Sequence, residues 1–188
     1  MSTRKLLLEL LLALGVAGAL SVTLGAKVAV AQSPGLAPGL GQNITEADIK
    51  AWDIAVLPDG SNLPPGSGTA VQGAPIYAQQ CALCHGEGGK SPRAGYAPMI
   101  GLQKFDRMDA PKTITYYEHA TTIFDIVRRG MPFMSPRSLS DDQVYAITAY
   151  LLAINNLIGE KDVINAQTLP QVKMPTAGKF IIRFPDRI

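Results

Sequence analysis

Histidine and cysteine are scarce in this chain, with two of each among 188 residues. A structural zinc site usually takes four such ligands, and no second Cys-x-x-Cys pair is present to supply them. Charge of one sign is also lacking. The formal net charge is +2, and the longest basic cluster beyond the N-terminus is Arg128-Arg129. That excludes the basic stripe by which a protein grips nucleic acid. Beyond the first 31 residues no stretch is long and apolar enough to cross a bilayer. No internal repeat is present.

What is present begins with an export signal. Arg4 and Lys5 give a positive start, residues 6–26 are mostly apolar, and Ala29-Val30-Ala31 is a small-x-small cleavage site. Cleavage after Ala31 is expected, with an uncleaved anchor as the alternative, and the destination is the periplasm. Removing residues 1–31 leaves 14 basic and 14 acidic side chains, so partners should recognise a local patch and not bulk charge.

Residues 32–68 form an irregular N-terminal extension, broken by five prolines and six glycines. Within it, residues 44–57 could form a short helix or turn capped by Asn43 or Thr45, packing onto the domain through Trp52. A compact domain is expected over residues 69–156, followed by an extended C-terminal tail over 157–188 with Pro170, Pro175 and Pro185. A helix should lead into Cys81, because Ala74, Tyr77, Ala78 and Cys81 recur at three- and four-residue spacing. Thr69 and Gln72 have capping-box spacing, but Pro75 would then fall inside the helix, so the start is expected at residues 73–75. Residues 86–115 read as a loop. Residues 121–129 read as a helix with Ile123, Phe124, Ile126 and Val127 inward, ended by Gly130 as a left-handed cap. The strongest helix signal is 141–155. Ser140 and Gln143 make a capping box, two aspartates occupy the first turn, and Val144, Ile147, Leu151 and Ile154 form a stripe.

Two cysteines in an exported protein suggest a disulfide first. Here they fall in Cys81-Ala82-Leu83-Cys84-His85, and Cys-x-x-Cys-His is the attachment pattern of haem c. Two thiols one helical turn apart reach the two vinyl groups of one porphyrin edge, and the next imidazole ligates the iron. A thioredoxin-like pair would want a βαβ setting, which is lacking. One motif implies one covalently bound haem, with His85 on the proximal side.

The opposite ligand must come from elsewhere in the chain. Met131, Met134, His119, Met99 and Met108 are the candidates. Met131 leads, since it follows the expected helix end and is held by Pro132. A thioether is a soft neutral donor that favours ferrous iron and raises the reduction potential, whereas a second histidine would lower it. Methionines also serve as core filling, so the alternatives stay open here. Arg128, Lys112, Tyr116 and Tyr117 are candidate donors to haem propionates, Arg128 first among them.

With those residues placed, the chain resembles a class I cytochrome c, and most closely the monohaem cytochrome subunit of Sox sulfane dehydrogenases and related sulfite dehydrogenases of sulfur-oxidising bacteria. The resemblance lies in residues 52–68 (WDIAVLPDGSNLPPGSG), 120–133 (ATTIFDIVRRGMPF), 139–152 (LSDDQVYAITAYLL) and 168–175 (TLPQVKMP). It implies an all-α fold of three or four short helices around one haem, with irregular N- and C-terminal flanks. It implies Met131, in the MPF run, as the distal ligand. It also implies a molybdenum-cofactor dehydrogenase partner that passes electrons singly to the haem, and a downstream cytochrome c or oxidase. The chain shows no pterin site or catalytic site of its own. Phe180, Ile181, Ile182 and Phe184 are candidate anchors for the partner. The competing readings are an independent shuttle delivering electrons to an oxidase, and a haem peroxidase with an open sixth position.

Overall fold

The computed structural model describes residues 41–90, 93–96, 98–102 and 113–181. The chain divides into two units, Met1–Thr45 and Glu46–Ile188, and the second carries every element named below. In order these are α1 (Glu46–Trp52), β1 (Ser67–Gly68), α2 (Ala70–Gln80), α3 (Ala82–His85), α4 (Ala120–Gly130), α5 (Asp141–Ala153) and β2 (Ile164–Asn165), with single 3₁₀ turns at Glu87–Gly89, Ile114–Tyr116 and Leu169–Gln171. The fold is all-α, with strand confined among the described residues to one two-residue antiparallel pair, Ser67 opposite Asn165 and Gly68 opposite Ile164. The expected export segment, Met108, Lys112, Ile182 and Phe184 lie outside the described residues.

Both capping boxes form. The Gln143 amide donates to Ser140 Oγ at 3.3 Å and the Ser140 amide to Gln143 Oε1 at 2.9 Å. Thr69 and Gln72 make the same reciprocal pair at 3.3 and 2.9 Å, so α2 begins at Ala70 and not at residues 73–75. Pro75 therefore sits inside the helix. It is tolerated because Pro75 and Val71 both lie on the exposed side, where water can solvate the Val71 carbonyl that the proline leaves without an amide partner.

The inward faces of α2 and α5 cross at glycine. A Cβ on Gly73 would lie 1.9 Å from the Ala146 carbonyl oxygen, and one on Gly68 would lie 2.4 Å from the Ala146 nitrogen. Only hydrogen at those two positions lets the backbones approach so closely. Helix α4 packs on α5 through Phe124 and Tyr145, both fully buried, with ring centroids 4.5 Å apart. Val144, Ile147 and Leu151 are buried as their stripe requires.

Gly130 does not act as a left-handed cap. It stays within α4, and the helix ends at Met131, whose backbone is extended at φ −121°, ψ 147°. The following Pro132 explains this, since the residue before proline is driven out of the α region.

The flanks also differ from expectation. Helix α1 buries nothing, and Trp52 is 85% exposed. The segment is instead tied down by Val56, a buried residue whose amide donates to Asp125 Oδ1 at 3.0 Å. Asp125 is itself buried and clasped by Arg129. The C-terminal stretch is irregular but central, because Ile164, Leu169 and Met174 belong to the same core as the helices. Thr176 is buried as well, and its hydroxyl donates to the Tyr117 carbonyl at 2.8 Å.

Candidate functional site

Helices α2 and α3 meet at Cys81. The Cys84 and His85 amides both donate to the Cys81 carbonyl, at 3.1 and 3.0 Å, so the cysteines and the histidine occupy one turn. Both cysteines are half-buried and free. The chain turns away at once after His85, because Gly86 has φ 78° and ψ 159°, a conformation that glycine adopts without penalty.

A cavity of about 270 Å³ opens beside this turn. Cys81 and His85 line one part of its wall with Tyr77 and Met99. Ile123, Ile126, Val127 and Met131 from α4 and its end line another, Ile147 and Leu151 come from α5, and Thr113, Ile114 and Tyr117 complete it. The lining is almost wholly apolar. Its physical effect shows in the titrating groups: burial, then the neighbouring Cys84, pushes the Cys81 thiol up to about 11. Burial likewise raises Tyr77 and Tyr117 above the usual phenol range.

The wall is braced from behind. The Asn155 side chain donates to the Met99 carbonyl at 3.0 Å and accepts from the Gly101 amide at 3.0 Å, while Thr113 and Thr115 hydroxyls donate to the Gly101 carbonyl at 2.8 and 2.7 Å. Met99 is also held to the turn after His85, its amide donating to Gly89 at 2.9 Å. Neither the Asn155 brace nor the Tyr77 hydroxyl was expected from sequence.

Of the candidate ligands, Met131 and Met99 both line the cavity, Met134 is 89% exposed, and His119 stands at the surface beside Glu118, 3.9 Å away. Arg128 does not line the cavity. Its Nε donates to Asp141 Oδ1 at 3.1 Å and Nη1 to the Ile54 carbonyl at 3.4 Å, which ties α4 to α5 and to the segment after α1. Tyr117, by contrast, is part of the wall.

Residues 68–151 match the family described as cytochrome c oxidase, cbb3-type, subunit III. The chain is 38% identical to a chain in the crystal structure of the sulfane dehydrogenase SoxCD from Paracoccus pantotrophus, with a TM-score of 0.68 over 80% of this chain and 73% of that one. The chain belongs to the c-type cytochromes of the Sox sulfane dehydrogenase family. This cytochrome is also 30% identical over 92 residues to a thiosulfate dehydrogenase from Stutzerimonas stutzeri (strain A1501), a match covering 47% of this chain and 28% of that protein. The cytochrome thus spans little more than a quarter of that relative.

Cytochromes of this kind carry haem c, and the residues present fit it. The Cys81 thiol lies in the wall of an apolar cavity with the His85 imidazole and the Met99 and Met131 thioethers, and Cys84 follows Cys81 within one turn. Among the described residues no group of three His, Cys, Asp or Glu side chains gathers to hold a metal ion directly. No helix among them is long and apolar enough to cross a membrane.

Proposed function

We propose that this protein is a periplasmic electron-transfer cytochrome of sulfur oxidation, holding one haem c through Cys81 and Cys84, with His85 and Met131 as axial ligands. When bound, the haem supplies a one-electron iron couple. The observation that carries the reading is the apolar cavity whose wall contains Cys81, His85 and Met131 together. The chain's own part is to fix those side chains, exclude water with Ile123, Val127, Ile147 and Leu151, and keep the site too apolar for hydrolytic or acid–base chemistry. Iron held by an imidazole and a thioether would suit electron passage and would leave no open position for substrate.

The donor is a molybdenum-cofactor dehydrogenase subunit that oxidises a sulfur species, and the acceptor is a downstream cytochrome c or oxidase. The 38% identity over most of both chains to a component of a sulfane dehydrogenase supports this, and the likeness to a thiosulfate dehydrogenase supports a role in sulfur oxidation. Exposed apolar groups near the site, Leu83 between the cysteines and Phe133 two residues beyond Met131, favour contact with a protein partner; they are 82% and 75% exposed. Purifying the native cytochrome tests the reading. Co-purification of a molybdenum-containing subunit whose sulfur-dependent turnover reduces the haem is expected, and a lone monomer that such a subunit cannot reduce would refute it.

A further inference from the structure

Tyr77 lines the cavity at 2% exposure, and its phenol donates to the carbonyl of Gly86 at 3.1 Å. That carbonyl belongs to the residue directly after His85. It also accepts the Gly89 amide at 3.1 Å, and the Gly89 carbonyl accepts the Met99 amide at 2.9 Å. One hydroxyl therefore fastens the turn that leaves His85, and through it the loop that brings Met99 to the wall. From the other direction the Gly86 amide is held by the Ala82 carbonyl at 2.8 Å. Both peptide units flanking Gly86 are thus fixed, although its φ of 78° is one to which glycine alone is indifferent. The phenol cannot easily swing away, since its ring rests against Tyr150 with centroids 4.9 Å apart.

We propose that Tyr77 is the positioning residue for His85: its hydroxyl, acting through the Gly86 carbonyl, sets the orientation of the imidazole plane in the cavity. The proposal rests on the reading of His85 as an axial ligand. An ordinary core tyrosine would contribute ring burial and one satisfied hydroxyl. A positioning tyrosine also governs the geometry of its neighbour, and that consequence is measurable.

The test is Tyr77→Phe in the haem-loaded protein, which keeps the ring and removes the bond. The electron paramagnetic resonance g-values of the oxidised protein report the orientation of the axial imidazole plane. They are expected to shift, and acid-induced loss of the low-spin spectrum is expected to run about fivefold faster, the worth of one neutral hydrogen bond. Tyr150→Phe should leave both unchanged. Parental g-values and an unchanged acid rate in Tyr77→Phe overturn the proposal. Should that variant yield no loaded protein, 3-fluorotyrosine at position 77, a stronger donor, should move the g-values in the opposite sense, and unmoved g-values would again overturn it. If instead the parent protein shows no low-spin signal, the ligand reading of His85 is what fails.

Discussion

Gly73 in α2 lies so close to Ala146 in α5 that a methyl group on it would sit 1.9 Å from the Ala146 carbonyl oxygen and 2.5 Å from its carbon. The obstacle is backbone, not the end of a flexible side chain. Gly73→Ala must therefore push the two helices apart, and with them Tyr77, Cys81, Ile147 and Leu151 in the cavity wall. A loss of about 3 kcal/mol or more in denaturant unfolding is expected. Gly130→Ala is the contrast, because nothing lies within 4 Å of a Cβ there and Gly130 is helical. That substitution should stabilise by up to about 1 kcal/mol.

Asn155 is the brace whose removal should reach the site without touching it. Asn155→Ala strips partners from the Met99 and Leu151 carbonyls and the Gly101 amide. The expected cost is about 1–3 kcal/mol, with a detectable change in the haem absorption envelope. A variant with wild-type stability and spectrum would show that water replaces the side chain completely.

Tyrosine titration should be delayed. Tyr145 is buried, its hydroxyl donates to the Pro64 carbonyl at 2.9 Å, and its pKa is pushed up to about 12, first by burial and then by the Asp141 charge. A raised pKa means that the folded state favours the neutral phenol. Its contribution to stability is therefore fully present below pH of about 10 and is lost as pH rises through about 12. Tyr145→Phe should flatten the loss of stability in that window, followed by unfolding at stepped pH with ultraviolet detection of phenolate.

The C-terminal strap separates two kinds of truncation. Thr176 is buried and its hydroxyl donates to the Tyr116 and Tyr117 carbonyls at 3.3 and 2.8 Å, while Phe180 packs edge-on against Tyr116 at 5.5 Å and Ile181 is 94% exposed. Deleting residues 176–188 should therefore disturb the wall at Tyr117 as well as any partner contact. Deleting 181–188 should leave the haem spectrum intact and weaken co-purification with the partner subunit. If both truncations behave alike in the spectrum, the strap does not support the site.

Much of this was legible in the chain before the structure. The Cys81–His85 run, the Ser140–Gln143 capping box and the Val144, Ile147, Leu151 stripe are local patterns, and local patterns carry their own structure. The failures involve partners distant in sequence. Pro75 seemed to forbid a start at Ala70, but the objection weakens once Val71 faces water, which depends on how α2 lies against α5. Trp52 seemed the natural anchor of the N-terminal extension, yet the anchor is the Val56 amide on Asp125, a backbone bond without a hydrophobic signature. Arg128 pairs with Asp141, which begins the next helix, a contact that no local pattern announced. The C-terminal stretch lacks periodicity, so nothing local marks Leu169 and Met174 as core.

The most direct measurement of the central claim compares Met131→Ala with Met134→Ala by near-infrared absorption of the oxidised protein, where a thioether bound to ferric iron gives a charge-transfer band at the red edge. Met131 lines the cavity and Met134 is 89% exposed. The account predicts that the band disappears in Met131→Ala and persists in Met134→Ala. Persistence of the band in Met131→Ala, or its loss in Met134→Ala alone, would contradict it.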